Sequence, residues 1–391
     1  MNEPTRTRWV IGCMTGTSLD GLDAALVRIE GTGLSMRAAL AGLLSLPLGE
    51  LSDALRALAS GQAAEPVRVL RAARRLGELH ADAVQQLMAS SASNATIDFV
   101  VAHGQTIWHV PQENLSWQLM DPWPIVRRTG LPVCYDLRQA DLIAGGQGAP
   151  ITPMSDWVMF RTPDRARLIV NLGGICNVTR LPAESRGSVA GVRGGDIGPC
   201  NLLLDALVRM VDPSLSFDED GKLASAGRAH GIVAEHALRT SSFFSRAQPR
   251  TTGREDFSQA WARGVFDAAK AAGLSGPDIV ASGVQFVAEL VAQAVRETAQ
   301  MQSGDGSSSV AIEVVLAGGG AKNRALDKAI ARACGGAADV MRSESLGVPV
   351  EAREAMAMAV LGALSDDGCP ITLDAVTGAK KPGVAGAWVG R

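Results

Sequence analysis

The chain has 391 residues, 47% hydrophobic and 20% charged, which supplies a sizeable core and excludes wholesale disorder. A net charge of −3 and only 4% aromatic residues exclude a basic nucleic-acid footprint, while 43 glycines suit an α/β enzyme with tight turns. Apolar stretches are broken by charge or glycine within about ten residues, short of the ~20 a membrane helix needs, and the polar N-terminus has no signal-peptide core; both predict a cytoplasmic protein with no membrane partner.

In chain order, a strand over residues 8–14 runs through a polar loop, 15–21, into a second strand over 22–29 and a third over 37–46. Helices are predicted over 51–58 and 67–88, with His80 on a helix of mixed polarity and therefore solvated. Residues 97–102 read as a buried strand ending in His103-Gly-Gln-Thr106, and 133–135 as a short strand ahead of Arg138 and Asp141. A seam is expected at 145–153. The strand, turn, strand pattern then recurs: 167–172, the tight turn Gly173-Gly174, 175–181, a third strand over 188–193 and a helix over 202–211 that Pro199 opens. The recurrence predicts a duplicated α/β unit. Residues 303–309 (SGDGSSS) read as a surface loop, 310–316 as a buried strand and 324–334 as a helix opened by Ala317-Gly-Gly-Gly. A helix over 355–361 begins at Glu354, and His236 is expected to be solvated.

Six dispersed cysteines, Cys13, Cys134, Cys176, Cys200, Cys334 and Cys369, predict free thiols in a reducing compartment, not zinc ligands or disulfides. Five scattered histidines give no catalytic zinc pattern. No dinucleotide-binding or P-loop fingerprint occurs.

Three features bear on chemistry. In the loop at 15–23, glycines let backbone amides approach a phosphate chain, Thr17 and Ser18 add hydroxyls, and Asp20 and Asp23 make sense there if Mg2+ bridges them; an ordinary Gly- and Asp-rich hairpin turn has the same letters. Asp196, flanked by glycines in GGDIGPCN, is sterically open and can take a proton from water or a hydroxyl, or else caps a helix. His103 stands at a strand end, where α/β sheets bind ligands, or is a satisfied structural histidine. Arg138 can hold a carboxylate through two parallel hydrogen bonds or sit in a surface ion pair, and Glu354 can bind a ligand or only complement its helix dipole.

In order along the chain, GCMTGTSLDGLDAAL, VAHGQTIWHVP, DLRQADLIAGGQGAP, VNLGGICNVT, GGDIGPCNLLLDAL, DEDGKLASAG, TTGREDF, LAGGGAKN and EAREAMAMAVLGAL resemble the motifs of the 1,6-anhydro-N-acetylmuramic acid kinases, from about residue 11 to about residue 388. The resemblance implies an α/β fold of two duplicated RNase H-like domains of the actin/Hsp70/sugar-kinase type, with ATP and Mg2+ in the interdomain cleft. Residues 1–145 with 372–391 would form one domain and 146–371 the other. It also implies a cytosolic homodimer that opens the anhydro ring with water, phosphorylates O6 and recycles cell-wall sugar.

By position, Gly16, Thr17, Ser18, Leu19, Asp20, Gly21, Leu22 and Asp23 would lie along the ATP phosphates with Gly173 and Gly174 opposite, and Gly318, Gly319 and Gly320 near the adenosine. Asp196 would be the general base; Arg138 and Glu354 would hold the sugar, with His103 and Thr106 nearby. Four letters depart from the family pattern: Ile197 and Cys200 beside the base, Arg250 for the usual Lys before TGRE, and Trp157 after GGQGAP. A kinase for another anhydrosugar such as levoglucosan, or a nucleotide-dependent binding protein, shares the same framework.

Overall fold

Two β-meanders, each extended by parallel strands, organise the chain in the computed structural model, which describes residues 6–16, 19, 21–90, 95–185, 187–247, 250, 252, 256–302, 312–381 and 383–391. In chain order the elements are β1 (Thr7–Thr15), β2 (Gly21–Glu30), β3 (Arg37–Pro47), α1 (Leu51–Ala59), α2 (Pro66–Ser90), β4 (Phe99–Ala102), β5 (Gln105–Val110), β6 (Leu115–Leu119) and α3 (Trp123–Thr129). There follow β7 (Val133–Tyr135), α4 (Gln139–Ile143), α5 (Pro153–Phe160), β8 (Ala166–Leu172), β9 (Ile175–Leu181), β10 (Arg193–Pro199), α6 (Asn201–Val211), α7 (Lys222–Ser225), α8 (Ile232–Thr240) and α9 (Gln259–Ala271). The chain closes with α10 (Gly276–Gln302), β11 (Ile312–Ala317), α11 (Arg324–Cys334), β12 (Ala338–Arg342), α12 (Arg353–Asp366), α13 (Asp374–Thr377) and β13 (Ala387–Val389).

The chain divides into two compact units, Met1–Phe160 with Gly347–Arg391, and Arg161–Leu346. The seams therefore fall near Phe160 and Leu346, not at 145 and 371, and α12 explains the second shift. This helix is buried on every side and packs backbone to backbone on β1. A Cβ at Gly12 of β1 would stand 2.0 Å from the Ala355 carbonyl oxygen and 2.5 Å from the Ala359 nitrogen, so only glycine admits the helix there.

In the first unit the sheet order is β13-β7-β4-β1-β2-β3; β1, β2 and β3 run antiparallel, while β4 joins β1 and β7 joins β4 in parallel. On one face Ile11, Leu22, Leu26 and Val100 meet Val84 and Leu87 of α2. In the second unit the order is β10-β9-β8-β11-β12, again an antiparallel meander with two parallel additions. The same topology twice is the duplicated RNase H-like architecture of the actin/Hsp70/sugar-kinase fold.

Several expectations need correction. The third strand of the second unit is 193–199 and not 188–193, because residues 189–191 form a 3-10 turn. Pro199 ends that strand, and the helix starts at Asn201 with Cys200 in the cap position. His80 is fully buried, its Nδ1 donating to the Leu76 carbonyl at 2.8 Å, and burial lowers its pKa to about 4. Helix α10 is long and apolar enough to cross a membrane, and 78% of its most apolar window is buried within the protein. All six cysteines are free thiols. The predicted loop at 303–309 lies outside the described residues.

Candidate active site

In the second unit β8 and β11 run in parallel register, Ala317 opposite Asn171, so the Gly173-Gly174 turn and the Gly318–Gly320 stretch emerge at the same end of the sheet. Gly318 has φ +79°, and a Cβ there would lie 2.4 Å from Asn171 Oδ1. Asn201 Nδ2 donates to the Leu172 carbonyl at 3.1 Å, tying α6 to this corner. The N–H groups of Cys200, Asn201 and Leu202 are spent on the carbonyls of Gly174, Gly173 and Gly174. The first turn of α6 thus fixes the glycine turn.

Asp196 lies within β10, at the step where the ladder to β9 shifts register between Asp196 and Gly198. Its backbone N–H donates to the Arg250 carbonyl at 2.9 Å, and the Thr252 N–H donates to its Oδ2 at 2.7 Å. The residue is only 8% exposed. The Thr252 N–H fixes the position of the carboxylate from the open side of the strand. Asp196 is no helix cap, since α6 begins five residues later.

In the first unit Arg138 gathers the polar residues. Its Nε donates to His103 Nε2 at 3.1 Å and its Nη1 to the Gly148 carbonyl at 2.6 Å. His103 Nδ1 lies 2.8 Å from the Gly104 carbonyl, which makes Nδ1 the protonated nitrogen and leaves Nε2 to accept from Arg138. Burial, and then the Arg138 charge, lower the His103 pKa to about 3. Burial lowers the Arg138 pKa to about 10 against the opposing charges of Glu354 and Asp141. His103 is therefore a neutral, fully satisfied residue that orients Arg138. Asp141 does not pair with Arg138 among the described residues; its Oδ2 accepts from the Gly148 N–H and its Oδ1 from Thr377 Oγ1. It shapes the GGQGAP turn whose Gly148 carbonyl holds Arg138. Glu354 follows Arg353, whose Nη2 meets both oxygens of the buried Asp156 at 2.7 Å and so fixes the start of α12. Thr106 Oγ1 accepts from Gln118 Nε2 at 3.3 Å.

Of the first glycine loop, Thr17, Ser18 and Asp20 lie outside the described residues. The side chains of Leu19 and Leu22 are core, Leu19 reaching it through φ +59°, so only their backbone could face a phosphate. Thr15 Oγ1 donates to the Gly104 carbonyl at 2.8 Å and joins this loop to the HGQT turn. Sequence reasoning singled out Arg138, His103, Glu354 and Asp196. It missed Thr252, whose contact is made by a backbone N–H that no side-chain pattern announces.

A duplicated RNase H-like fold with glycine turns at its strand ends is that of a phosphotransferase of the sugar-kinase class. The family model described as anhydro-N-acetylmuramic acid kinase matches residues 8–390, and the chain belongs to that family. Curated relatives of that name include one from Salinibacter ruber, 35% identical over 384 residues (95% of this chain, 94% of the relative), and one from Xanthomonas campestris, 35% identical over 395 residues (99% of each). Among solved structures, the activator of 2-hydroxyisocaproyl-CoA dehydratase from Clostridium difficile superposes with TM-score 0.43 at 13% identity, covering 92% of this chain and 95% of its own. The protein is a nucleotide-binding kinase, a transferase of carbohydrate metabolism.

Proposed function

We propose that the protein uses ATP to convert 1,6-anhydro-N-acetylmuramic acid to N-acetylmuramic acid 6-phosphate and ADP, opening the anhydro bridge with water, in the recycling of cell-wall sugar. The observation that carries the reading is Asp196, a carboxylate held in place by the Thr252 N–H on a strand lined by glycines. Asp196 takes a proton from water as the water oxygen bonds to C1; the C1–O6 bond breaks and O6 accepts the γ-phosphoryl group. Phosphorus captures the departing O6, so no separate general acid is needed. Phosphoryl transfer otherwise asks for positioning and charge neutralisation.

Arg138 holds the lactyl carboxylate, with Glu354 beside it on the sugar; His103 keeps Arg138 oriented and Thr106 stands nearby. Gly16, Gly21, Gly173 and Gly174 bring backbone to the phosphates, and Gly318, Gly319 and Gly320 to the adenosine. Mg2+ supplies charge neutralisation along the phosphate chain when bound. Such an ion needs only one or two carboxylates besides the phosphates; Asp23, hydrogen-bonded by Ser45, fits that role, and no group of three or more metal-binding side chains converges among the described residues. The reading includes a homodimer working in the cytoplasm.

The test is a coupled ADP assay with ATP, Mg2+ and a panel of anhydrosugars. The muramic substrate should drive ADP release well above levoglucosan, and Asp196→Asn should lower turnover about 10²–10⁴-fold while still binding ATP. Sugar-dependent ADP release retained by Asp196→Asn would remove the base from the mechanism.

A further inference from the structure

Strand β10 is the edge of its sheet, and Asp196 stands where its pairing to β9 is irregular. The ladder alone therefore leaves this residue loosely fixed. Two bonds on the open edge make up the difference: the Arg250 carbonyl takes the Asp196 N–H at 2.9 Å and the Thr252 N–H reaches Oδ2 at 2.7 Å. What holds the backbone of Arg250 in place is its own side chain. Its Nη1 lies 3.2 Å from three carbonyl oxygens, those of Phe243, Phe244 and Arg246, which share its two N–H groups, and its guanidinium carbon lies 4.3 Å from the centre of the Phe243 ring. Phe243 is fully buried in edge-to-face contact with Phe244 and Phe257, so the ring under the guanidinium is a rigid support.

A second arm closes the circuit. Asp256 accepts from Thr252 Oγ1 and pairs with both terminal nitrogens of Arg246, whose carbonyl Arg250 grips. Asp196, Thr252, Asp256, Arg246 and Arg250 thus form one ring of contacts, in which Arg250 is bonded to the backbone of both Asp196 and Arg246. The charges of Glu297, Asp196, Arg246 and Arg180 all bear on Arg250.

We propose that Arg250 is a positioning residue for the reaction: by clamping the Phe243, Phe244 and Arg246 carbonyls it sets both the backbone and the carboxylate of Asp196. The proposal rests on the reading of Asp196 as the base. Misplacing a reacting group by about 1 Å costs on the order of 10²-fold in rate without weakening ground-state binding.

The experiment compares wild type, Arg250→Met, Arg250→Lys and Asp196→Asn by steady-state kinetics across pH, with folding followed by circular dichroism. Arg250→Met keeps the packing on Phe243 and removes the donors. It should lower kcat about 10–100-fold with both KM values within about threefold of wild type, and move the acid limb of the rate profile upward by about half a pH unit as the N–H to Oδ2 contact loosens. Arg250→Lys, with three donors on one nitrogen, should recover kcat to within about threefold. Wild-type kcat and acid limb in Arg250→Met, with Asp196→Asn inactive, overturn the clamp alone. An active Asp196→Asn overturns the base and the clamp together. Should Arg250→Met not fold, Asp256→Asn opens the ring from its other side: a lower kcat at unchanged KM with the same limb shift supports the proposal, and an unchanged profile defeats it.

Discussion

The two units share one strand order and use it differently. In the first, five residues separate the two meander strands, β4 is followed by the inserted β5–β6 hairpin, and the cation near that hairpin, Arg138, is half-buried against His103. In the second, the meander turn is two glycines and the residue held at the irregular third strand is an anion, Asp196. The third strand of the first unit also breaks register, but between Leu40 and Gly42, among apolar residues with no acid to present. At corresponding irregularities of a duplicated scaffold, one third strand thus carries a carboxylate and the other only apolar residues.

The largest expected effect tests the assignment of α12 to the first sheet. Gly12→Val places atoms inside van der Waals contact of two backbone groups of α12, and should cost more than about 4 kcal/mol, leaving no folded protein by circular dichroism. A Gly12→Val protein with wild-type melting would mean that the helix is not seated on β1. Next is Arg138→Ala, which should lower kcat/KM for the muramic substrate about 100-fold, or about 2.7 kcal/mol, while levoglucosan, lacking the lactyl carboxylate, loses far less. Equal losses would take Arg138 out of carboxylate recognition.

Acid should also tell the units apart. His80 and His103, both buried in the first unit, have pKa values lowered to about 4 and about 3. Their unfolded pKa is near 6.5, so the unfolded chain binds more protons as pH drops below that value. Their contribution is complete above pH ~6.5 and is lost on the way down toward pH ~4, each group costing on the order of 1 kcal/mol per pH unit. Hydrogen exchange at pH 5 against pH 7 should show protection falling first in α2 and β4. Uniform loss across both units would contradict this, and His80→Gln should flatten the dependence in the first unit.

Much of this contrast was legible in the sequence. Periodicity and glycine turns marked both meanders, and the helix over 324–334 falls at its predicted limits. His103 and Arg138 were visible as polar letters in apolar surroundings. What stayed hidden depends on distance in space. His80 sits on a helix whose letters look solvated, yet the face it occupies is the one α2 turns to the sheet. The seam near 346 follows from α12 returning to β1, a contact between residues more than 300 positions apart that no local pattern encodes. Thr252 acts through a main-chain N–H, which every residue except proline carries.

The smallest effect bears on whether the two-glycine turn serves the nucleotide or only the fold. Gly173 has an ordinary backbone conformation, and a Cβ there would lie 3.3 Å from the Ile175 carbonyl oxygen and 3.6 Å from Asn171 Nδ2, a mild crowding that a small shift of the side chain or turn relieves. Gly173→Ala should therefore leave stability within about 0.5 kcal/mol. Gly318→Ala, at φ +79° and 2.4 Å from Asn171 Oδ1, should lose about 1–3 kcal/mol of stability whatever it binds. The informative variant is consequently Gly173→Ala, because its fold is undisturbed. If phosphates pass close to that backbone, one added methyl should raise the KM for ATP about three- to tenfold with the sugar KM unchanged. An unaltered KM for ATP would confine the turn to fixing α6, through the three N–H bonds it already accepts.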